Sequence, residues 1–353
     1  MKQSTDLLRQ LGWCPFFQQQ LDAQEREDSV PGRVTAVHRS GLDITTQSNE
    51  VSIALAGKWF ELPPEQRPTI GDWVLLDADL ALIERLLERK SLFKRMGAGN
   101  NPELQLLGAN IDTLFVVSSC NEEFNLSRLE RFLSLGTDAS VETVVVLTKA
   151  DLSENTDQFV DETRKLTSVT HVEVVNALDL DSLAGILNWC KEGQTIALVG
   201  SSGVGKSTLV NTLAEVNLQA TGDVRDSDKH GRHTTSHRSL HLLPGGGMVL
   251  DSPGMREFQM ADSDTGLADL FDDIDALAVQ CKFSDCVHDS EPGCRVTEAI
   301  ERGEIEARRL ESYLKLGREQ QFANETIAER HKRTRDWGKL VKQHAAIKAH
   351  KKS

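Results

Sequence analysis

Gly200-Ser201-Ser202-Gly203-Val204-Gly205-Lys206-Ser207 has the form GxxxxGKS. It lies between an apolar run, Thr195 to Val199, and a helical run, Thr208 to Ala214. Strand, glycine-rich loop and helix in that order are what a phosphate-binding loop requires. The glycines let backbone N–H groups turn inward around an anion, at a helix N-terminus whose dipole favours negative charge. Lys206 is then placed to reach the β- and γ-phosphates of a nucleotide, and Ser207 to bind Mg²⁺. Residues 200 to 208 are the candidate phosphate contacts.

Other strand ends supply the rest of a nucleotide site. Asp251-Ser252-Pro253-Gly254 follows the apolar run Met248 to Leu250. There Asp251 can hold Mg²⁺ through water and the Gly254 N–H can sense a γ-phosphate. Thr148-Lys149-Ala150-Asp151 follows the run Thr143 to Leu147. The Asp151 carboxylate can accept from the N1 and N2 hydrogens of guanine, which adenine lacks, while the Lys149 stem lies over the base. Val175-Asn176-Ala177 ends a further strand and offers a backbone contact to guanine O6 from Asn176 or Ala177. The three motifs together read as a GTP site with Mg²⁺. Their order is permuted: base reading precedes the phosphate loop, whereas ordinary GTPases place it after. A circular permutation is tolerable because such a ligand sits at the carboxyl ends of strands, whatever order the chain visits them.

Around this site the chain divides by pattern. Strand runs at Thr113–Val117, Thr143–Leu147, Val172–Val175, Thr195–Val199, Ser239–Leu243 and Met248–Leu250, with helical runs at Leu126–Leu135 and Leu183–Cys190, predict an α/β domain with a mostly parallel sheet over 105–270. Between 31 and 97 short alternating strands with turn punctuation read as a small β-barrel. Any small barrel gives this pattern, and a five-stranded oligonucleotide-binding (OB) type is the expectation. Residues 1–30 are Gln-rich apart from an apolar knot at Leu11–Phe17 and read as an extension. Residues 271–325 are helical by period, and 326–353 form a tail with nine basic residues against Glu329 and Asp336.

The 353 residues carry a net charge of -14 and 39% hydrophobic residues, the balance of an ordinary globular protein. No apolar run approaches the roughly 18 residues of a membrane span, and the N-terminus does not read as a signal peptide. A cytoplasmic monomer that does not bind membranes is the expectation. Six cysteines are too few for a disulfide scaffold in a chain this long. Cys281, Cys286, His288 and Cys294 have the spacing C-x4-C-x-H-x5-C, with Pro292-Gly293 to turn the chain. Three thiolates and an imidazole suit a closed, structural Zn²⁺ site, one per chain; three buried thiols and a surface histidine are the bland alternative. Cys14, Cys120 and Cys190 are isolated and have no assigned role.

The sequence resembles the circularly permuted, ribosome small-subunit-dependent GTPase A family of bacteria. The resemblance runs from about Pro31 to Glu319 and is carried by Gly71-Asp72, Leu87-Glu88-Arg89-Lys90-Ser91 with Arg95, Ala109-Asn110-Ile111-Asp112, the permuted motifs, Gly231-Arg232-His233-Thr234-Thr235 and the Cys/His cluster. It implies an OB barrel, a permuted GTPase domain and a zinc domain. It further implies a role in late maturation of the 30S subunit, with hydrolysis stimulated by that subunit. Two positions depart from the family: Thr148 stands where asparagine is usual and Asn176 where serine is usual. A threonine hydroxyl is too short to replace an asparagine amide fully, so weaker guanine affinity is expected, with selectivity kept by Asp151.

Many GTPases place a water-orienting glutamine after DxxG, but here the residue is Met255. The resemblance makes His233 the candidate catalytic group, with contact to rRNA as its alternative, and Thr235 is the candidate switch ligand of Mg²⁺ beside Ser207 and Asp251. The expected partners are GTP or GDP, the 30S subunit and its 16S rRNA. The barrel, with Trp59 or Trp73 as stacking platforms, and the basic tail are the candidate RNA-facing parts. Such tryptophans are at least as often core, which is the expectation for Trp73, and a solvated charged helix would give the same tail. Two other functions fit the residues: a nucleotide-gated rRNA-binding checkpoint, and a permuted GTPase acting on another RNA–protein complex.

Overall fold

The computed structural model of the chain describes residues 4–38, 41–96, 104–166, 171–215, 238–251, 270–289 and 291–324. Residues 4–30, within the stretch 1–30 read from sequence as an extension, are folded. Helices α1 (Ser4–Gln10), α2 (Pro15–Gln18) and α3 (Ala23–Asp28) bring Leu8, Leu11, Phe17 and Leu21 into one cluster with Trp73, Leu75, Leu87 and Met248. The apolar knot is the anchor: the Trp13 ring meets that of Trp73 edge-on at 4.8 Å.

Strands β1 (Val30–Val37), β2 (Leu42–Thr46), β3 (Glu50–Ile53), β4 (Trp73–Leu76) and β5 (Ile83–Leu86) pair antiparallel in the order β3-β2-β1-β4-β5. They enclose Val34, Ile44, Ile53, Val74, Leu76 and Ile83, with Trp59 from the short helix α4 (Gly57–Phe60). Among the described residues β3 does not pair with β5, so the structure establishes a five-stranded antiparallel unit with its own core, not a closed barrel. Both tryptophans are interior, Trp59 at 6% exposure and Trp73 at 1%. Trp73 is core as expected, and for Trp59 the core alternative holds over base stacking, because its ring fills the core of this unit.

A two-stranded antiparallel pair, β6 (Leu92–Met96) and β7 (Leu104–Ala109), leads into the α/β domain. Strands β8 (Thr113–Ser119), β9 (Glu142–Thr148), β10 (His171–Val174), β11 (Thr195–Gly200) and β13 (Met248–Asp251) lie parallel in the order β10-β9-β8-β11-β13. Every residue of β8 and β11 is buried, as expected where both faces of a parallel sheet are covered. Helices α5 (Leu126–Asp138), α6 (Thr156–Arg164), α7 (Ala184–Leu187) and α8 (Lys206–Ala214) connect or follow these strands. Strand β12 (Arg238–Leu242) runs antiparallel to β13 on one side and to β1 on the other, pairing Ala36 with Ser239. One sheet therefore crosses from the N-terminal unit into the α/β domain.

Three of the family-resembling motifs, Gly71-Asp72, Leu87–Ser91 and Ala109–Asp112, converge on the joint between those units. Gly71 has φ 84°, and a Cβ there would come 2.2 Å from the Ala109 carbonyl oxygen, so only glycine allows the close approach. Asn110 donates to the Gly71 carbonyl at 3.0 Å and accepts from the Lys90 N–H at 2.8 Å. Asp72, fully buried, receives two 2.7 Å hydrogen bonds from Arg89. Arg33, also buried, donates to the carbonyls of Leu11, Gly71 and Asn110 and to the Thr195 hydroxyl. Burial without a direct carboxylate partner lowers its guanidinium to about 10.

Beyond the sheet, α9 (Asp272–Ala278), α10 (Arg295–Glu301) and α11 (Ala307–Asn324) extend the same core: Phe271, Ile274, Val296 and Leu310 cluster with Leu129 and Leu133 of α5. Among the described residues no helix is long and apolar enough to cross a membrane.

Candidate functional site

Parallel pairing puts the C-terminal ends of β9, β10 and β11 on one edge of the sheet. Thr148 and Gly200 thereby end on either side of β8, and Val175 follows β10 on the far side of β9, although 27 and 25 positions separate the three in turn. Hydrogen bonds then tie the three segments together. The Thr148 hydroxyl is 3.1 Å from the Ser118 carbonyl oxygen and 2.5 Å from that of Val204 in the phosphate loop. The Ala150 N–H donates to the Val175 carbonyl at 3.3 Å, and the Thr212 hydroxyl of α8 donates to the Ala177 carbonyl at 2.7 Å.

The loop itself needs its glycines. Gly200, Gly203 and Gly205 have φ of 150°, 82° and 95°, values that L side chains rarely adopt. A Cβ on Gly200 would also strike the Val117 carbonyl at 2.2 Å. Val204 is buried and pins the loop to the core, while Ser202 and Gly203 remain exposed at its tip. Lys206 opens α8, and its ammonium donates to the carbonyls of Gly200, at 2.7 Å, and Ser201. Ser207 and Thr208 follow in the first turn, partly exposed. Backbone N–H groups, a helix start and a converging ammonium are the equipment of an anion site.

At the base-reading end Lys149 adopts a left-handed conformation, φ 58°, which turns the chain so that Asp151 emerges exposed at the rim. Asn176 holds its own turn: its side-chain oxygen accepts from the Leu178 N–H at 3.0 Å, and its N–H donates to the Ser182 hydroxyl at 2.9 Å. Ala177 is buried beside it. Asp251 closes β13, next to β11 in the sheet. His233, Thr235 and Gly254, together with the tail 326–353, lie outside the described residues.

The Cys/His cluster is assembled. Ligand atoms of Cys281, Cys286, His288 and Cys294 lie within 4.8 Å of one another. Cys281 and Cys294 sulfurs are 4.0 Å apart, and His288 Nδ1 is 3.7 and 3.5 Å from them. Tetrahedral Zn–S bonds of ~2.3 Å place sulfurs about 3.8 Å apart, so the set fits a closed tetrahedral ion. Backbone geometry supports it: His288 has φ 63° and Gly293 φ 83°, and the Cys294 sulfur caps α10 by accepting from the Thr297 N–H at 3.4 Å. Burial opposes ionisation of Cys294, but donors from Thr297 and His288 outweigh it and bring the thiol down to about 6. By contrast burial raises the isolated thiols Cys120 and Cys190 to about 11 and 12, which suits packing rather than chemistry.

One feature of this region gave no sequence signal. Glu130 of α5, fully buried, accepts from Arg308 at 3.0 Å and Arg309 at 3.3 Å. Arg309 also makes two bonds to Asp273, at 2.8 and 2.9 Å, and one to the Leu270 carbonyl. Helix α11, the second after the cluster, is thus fastened to α5, which flanks the phosphate loop.

Comparison with known proteins agrees with this geometry. The family model described as RsgA GTPase matches residues 86–261. The chain is 48% identical over 335 residues to "Small ribosomal subunit biogenesis GTPase RsgA 2" of Vibrio parahaemolyticus, covering 95% of this chain and 92% of that protein. It is 42% identical over 325 residues to the RsgA of Mesorhizobium japonicum, covering 90% and 91%. The crystal structure of YjeQ from Thermotoga maritima superposes with a TM-score of 0.59 at 26% identity, over 83% of this chain and 98% of that one. YloQ, a circularly permuted GTPase, shares the fold at a TM-score of 0.56 and 21% identity, over 87% of this chain and all of YloQ. With its phosphate loop, base-reading strand ends and Cys/His cluster arranged as described, the chain belongs to the RsgA family of circularly permuted GTPases.

Proposed function

We propose that this protein binds the small ribosomal subunit and hydrolyses GTP during late 30S maturation, with hydrolysis stimulated by the subunit. The observation that carries the reading is the single sheet edge at which Thr148–Asp151, Asn176–Ala177 and Gly200–Ser207 meet, in a chain whose curated relatives are named small ribosomal subunit biogenesis GTPases. In this reading residues 200–208 wrap the phosphates, Ser207, Thr235 and Asp251 serve Mg²⁺, Gly254 senses the γ-phosphate, and Asp151 reads guanine. His233 orients the attacking water in place of the glutamine that Met255 displaces. Binding of the subunit aligns it with the γ-phosphate. Zinc holds Cys281, Cys286, His288 and Cys294 as a structural ion. The N-terminal unit serves as a partly open OB-type barrel, and with the basic tail it contacts 16S rRNA through the charge of the RNA backbone.

The test is co-sedimentation with purified 30S subunits in the presence of GDP or a non-hydrolysable GTP analogue, over a salt series. Binding that is stronger with the analogue and weakens with salt is expected. Equal sedimentation with 30S and 50S subunits would contradict the assignment.

A further inference from the structure

Arg128 stands in the first turn of α5, whose N-cap Asn125 accepts from the Arg128 N–H at 3.0 Å. Its side chain is exposed, and its guanidinium donates to the Ser201 hydroxyl in the phosphate loop at 3.3 Å. Among the described residues no carboxylate pairs with it. Lys206 donates to the carbonyl of the same Ser201, so two cations converge on one loop residue. The helix that carries Arg128 is held firmly. The Ser127 and Ser312 hydroxyls lie 2.8 Å apart, and Glu130 is locked between Arg308 and Arg309. An exposed, long contact to a neutral hydroxyl is weak, whereas a guanidinium bound to a phosphate oxygen forms a charge-assisted bond roughly twice as strong as a neutral one.

We infer that Arg128 is a further catalytic residue, an arginine supplied within the chain that leaves Ser201 to contact the γ-phosphate of GTP. The inference rests on reading Gly200–Ser207 as the phosphate loop. In the reaction the water oxygen bonds to the γ-phosphorus and the bond to the β–γ bridging oxygen breaks. GDP leaves with that electron pair, and the water protons end on inorganic phosphate and in solvent. Negative charge shifts toward the bridging oxygen as this bond lengthens, and a second cation beside Lys206 stabilises it. Met255 offers no polar group after DxxG, so the site has room in its chemistry for such a contribution.

The experiment compares Arg128→Ala and Arg128→Lys in the full-length protein with Lys206→Ala as reference. GTP turnover without ribosomes should fall about tenfold or more in the alanine variant, at the low end of what an arginine contributes in phosphoryl transfer, and recover in part with lysine. GDP affinity should stay within about twofold, while GTP and GDP–aluminium fluoride bind more weakly, since only they present a γ-position. Turnover within twofold of the parent, alongside lost nucleotide binding in Lys206→Ala, would overturn the role of Arg128 alone. Normal nucleotide binding by Lys206→Ala would instead remove the phosphate-loop reading and this inference with it. Equal loss of GDP and GTP affinity in Arg128→Ala would also overturn it, because the arginine would then be supporting the loop.

Discussion

The Thr148 hydroxyl lies 2.5 Å from the Val204 carbonyl oxygen, so the residue that opens the base-reading motif also holds the phosphate loop. Its single proton is shared with the Ser118 carbonyl at 3.1 Å, and Thr148 is fully buried. Gly205 packs against the same side chain: a Cβ there would come within 3.5 Å of the hydroxyl. A threonine thus ties the two halves of the site together where the family usually has asparagine, with one donor in place of two.

Thr148→Val keeps the shape and removes the proton, leaving two buried carbonyls short of a donor. The expected loss of stability is about 1–3 kcal/mol. GDP and GTP affinity should weaken together, by roughly tenfold for each 1.4 kcal/mol expressed in the bound state. Thr148→Ser should behave as the parent. Thermal melts and fluorescent-nucleotide titrations check both, and unchanged affinity in the valine variant would show that the loop does not depend on this bond.

Asp151→Asn should weaken GTP binding and relax the preference for guanine over xanthine, because the carboxylate that accepts from N1 and N2 is replaced by an amide that can donate. Competition between GTP and XTP reads the change directly. GTP affinity equal to the parent's would sink the assignment of Asp151.

Arg309→Ala leaves Glu130 buried with Arg308 as its remaining partner. Breaking a buried ion pair from one side costs roughly 3–5 kcal/mol, so urea unfolding should shift by that order. A change under about 1 kcal/mol would mean the network adds nothing beyond a surface pair.

Cys286→Ser should lose a metal that the parent carries at about one equivalent per chain, together with 30S association, while nucleotide binding in the α/β domain largely survives. Elemental analysis of the native protein settles the first point; absence of zinc there would refute the structural assignment.

Much of this was legible in the sequence for a physical reason. Fully buried parallel strands appear as unbroken apolar runs, and Thr113–Val117 or Thr195–Val199 fall inside the observed β8 and β11. The helical run Leu183–Cys190 was not so clear: it resolves into a tight turn, Asp181–Leu183, and the short α7, with Gly185 weakening the helix. The joint was illegible because its parts are distant in sequence. Gly71, Arg89 and Asn110 carry no chemistry singly and acquire a meaning only when the fold places them in contact. Likewise the knot at Leu11–Phe17 was visible among the glutamines, but not that with Leu8 and Leu21 it packs against Trp73.

GTP turnover with and without purified 30S subunits, with 50S subunits as control, decides whether this is a subunit-stimulated GTPase. Slow turnover by the protein alone, strong stimulation by 30S and none by 50S is the predicted result, with His233→Ala losing the stimulation while still binding GTP and 30S. Turnover indifferent to 30S subunits would show that the small subunit does not activate this GTPase.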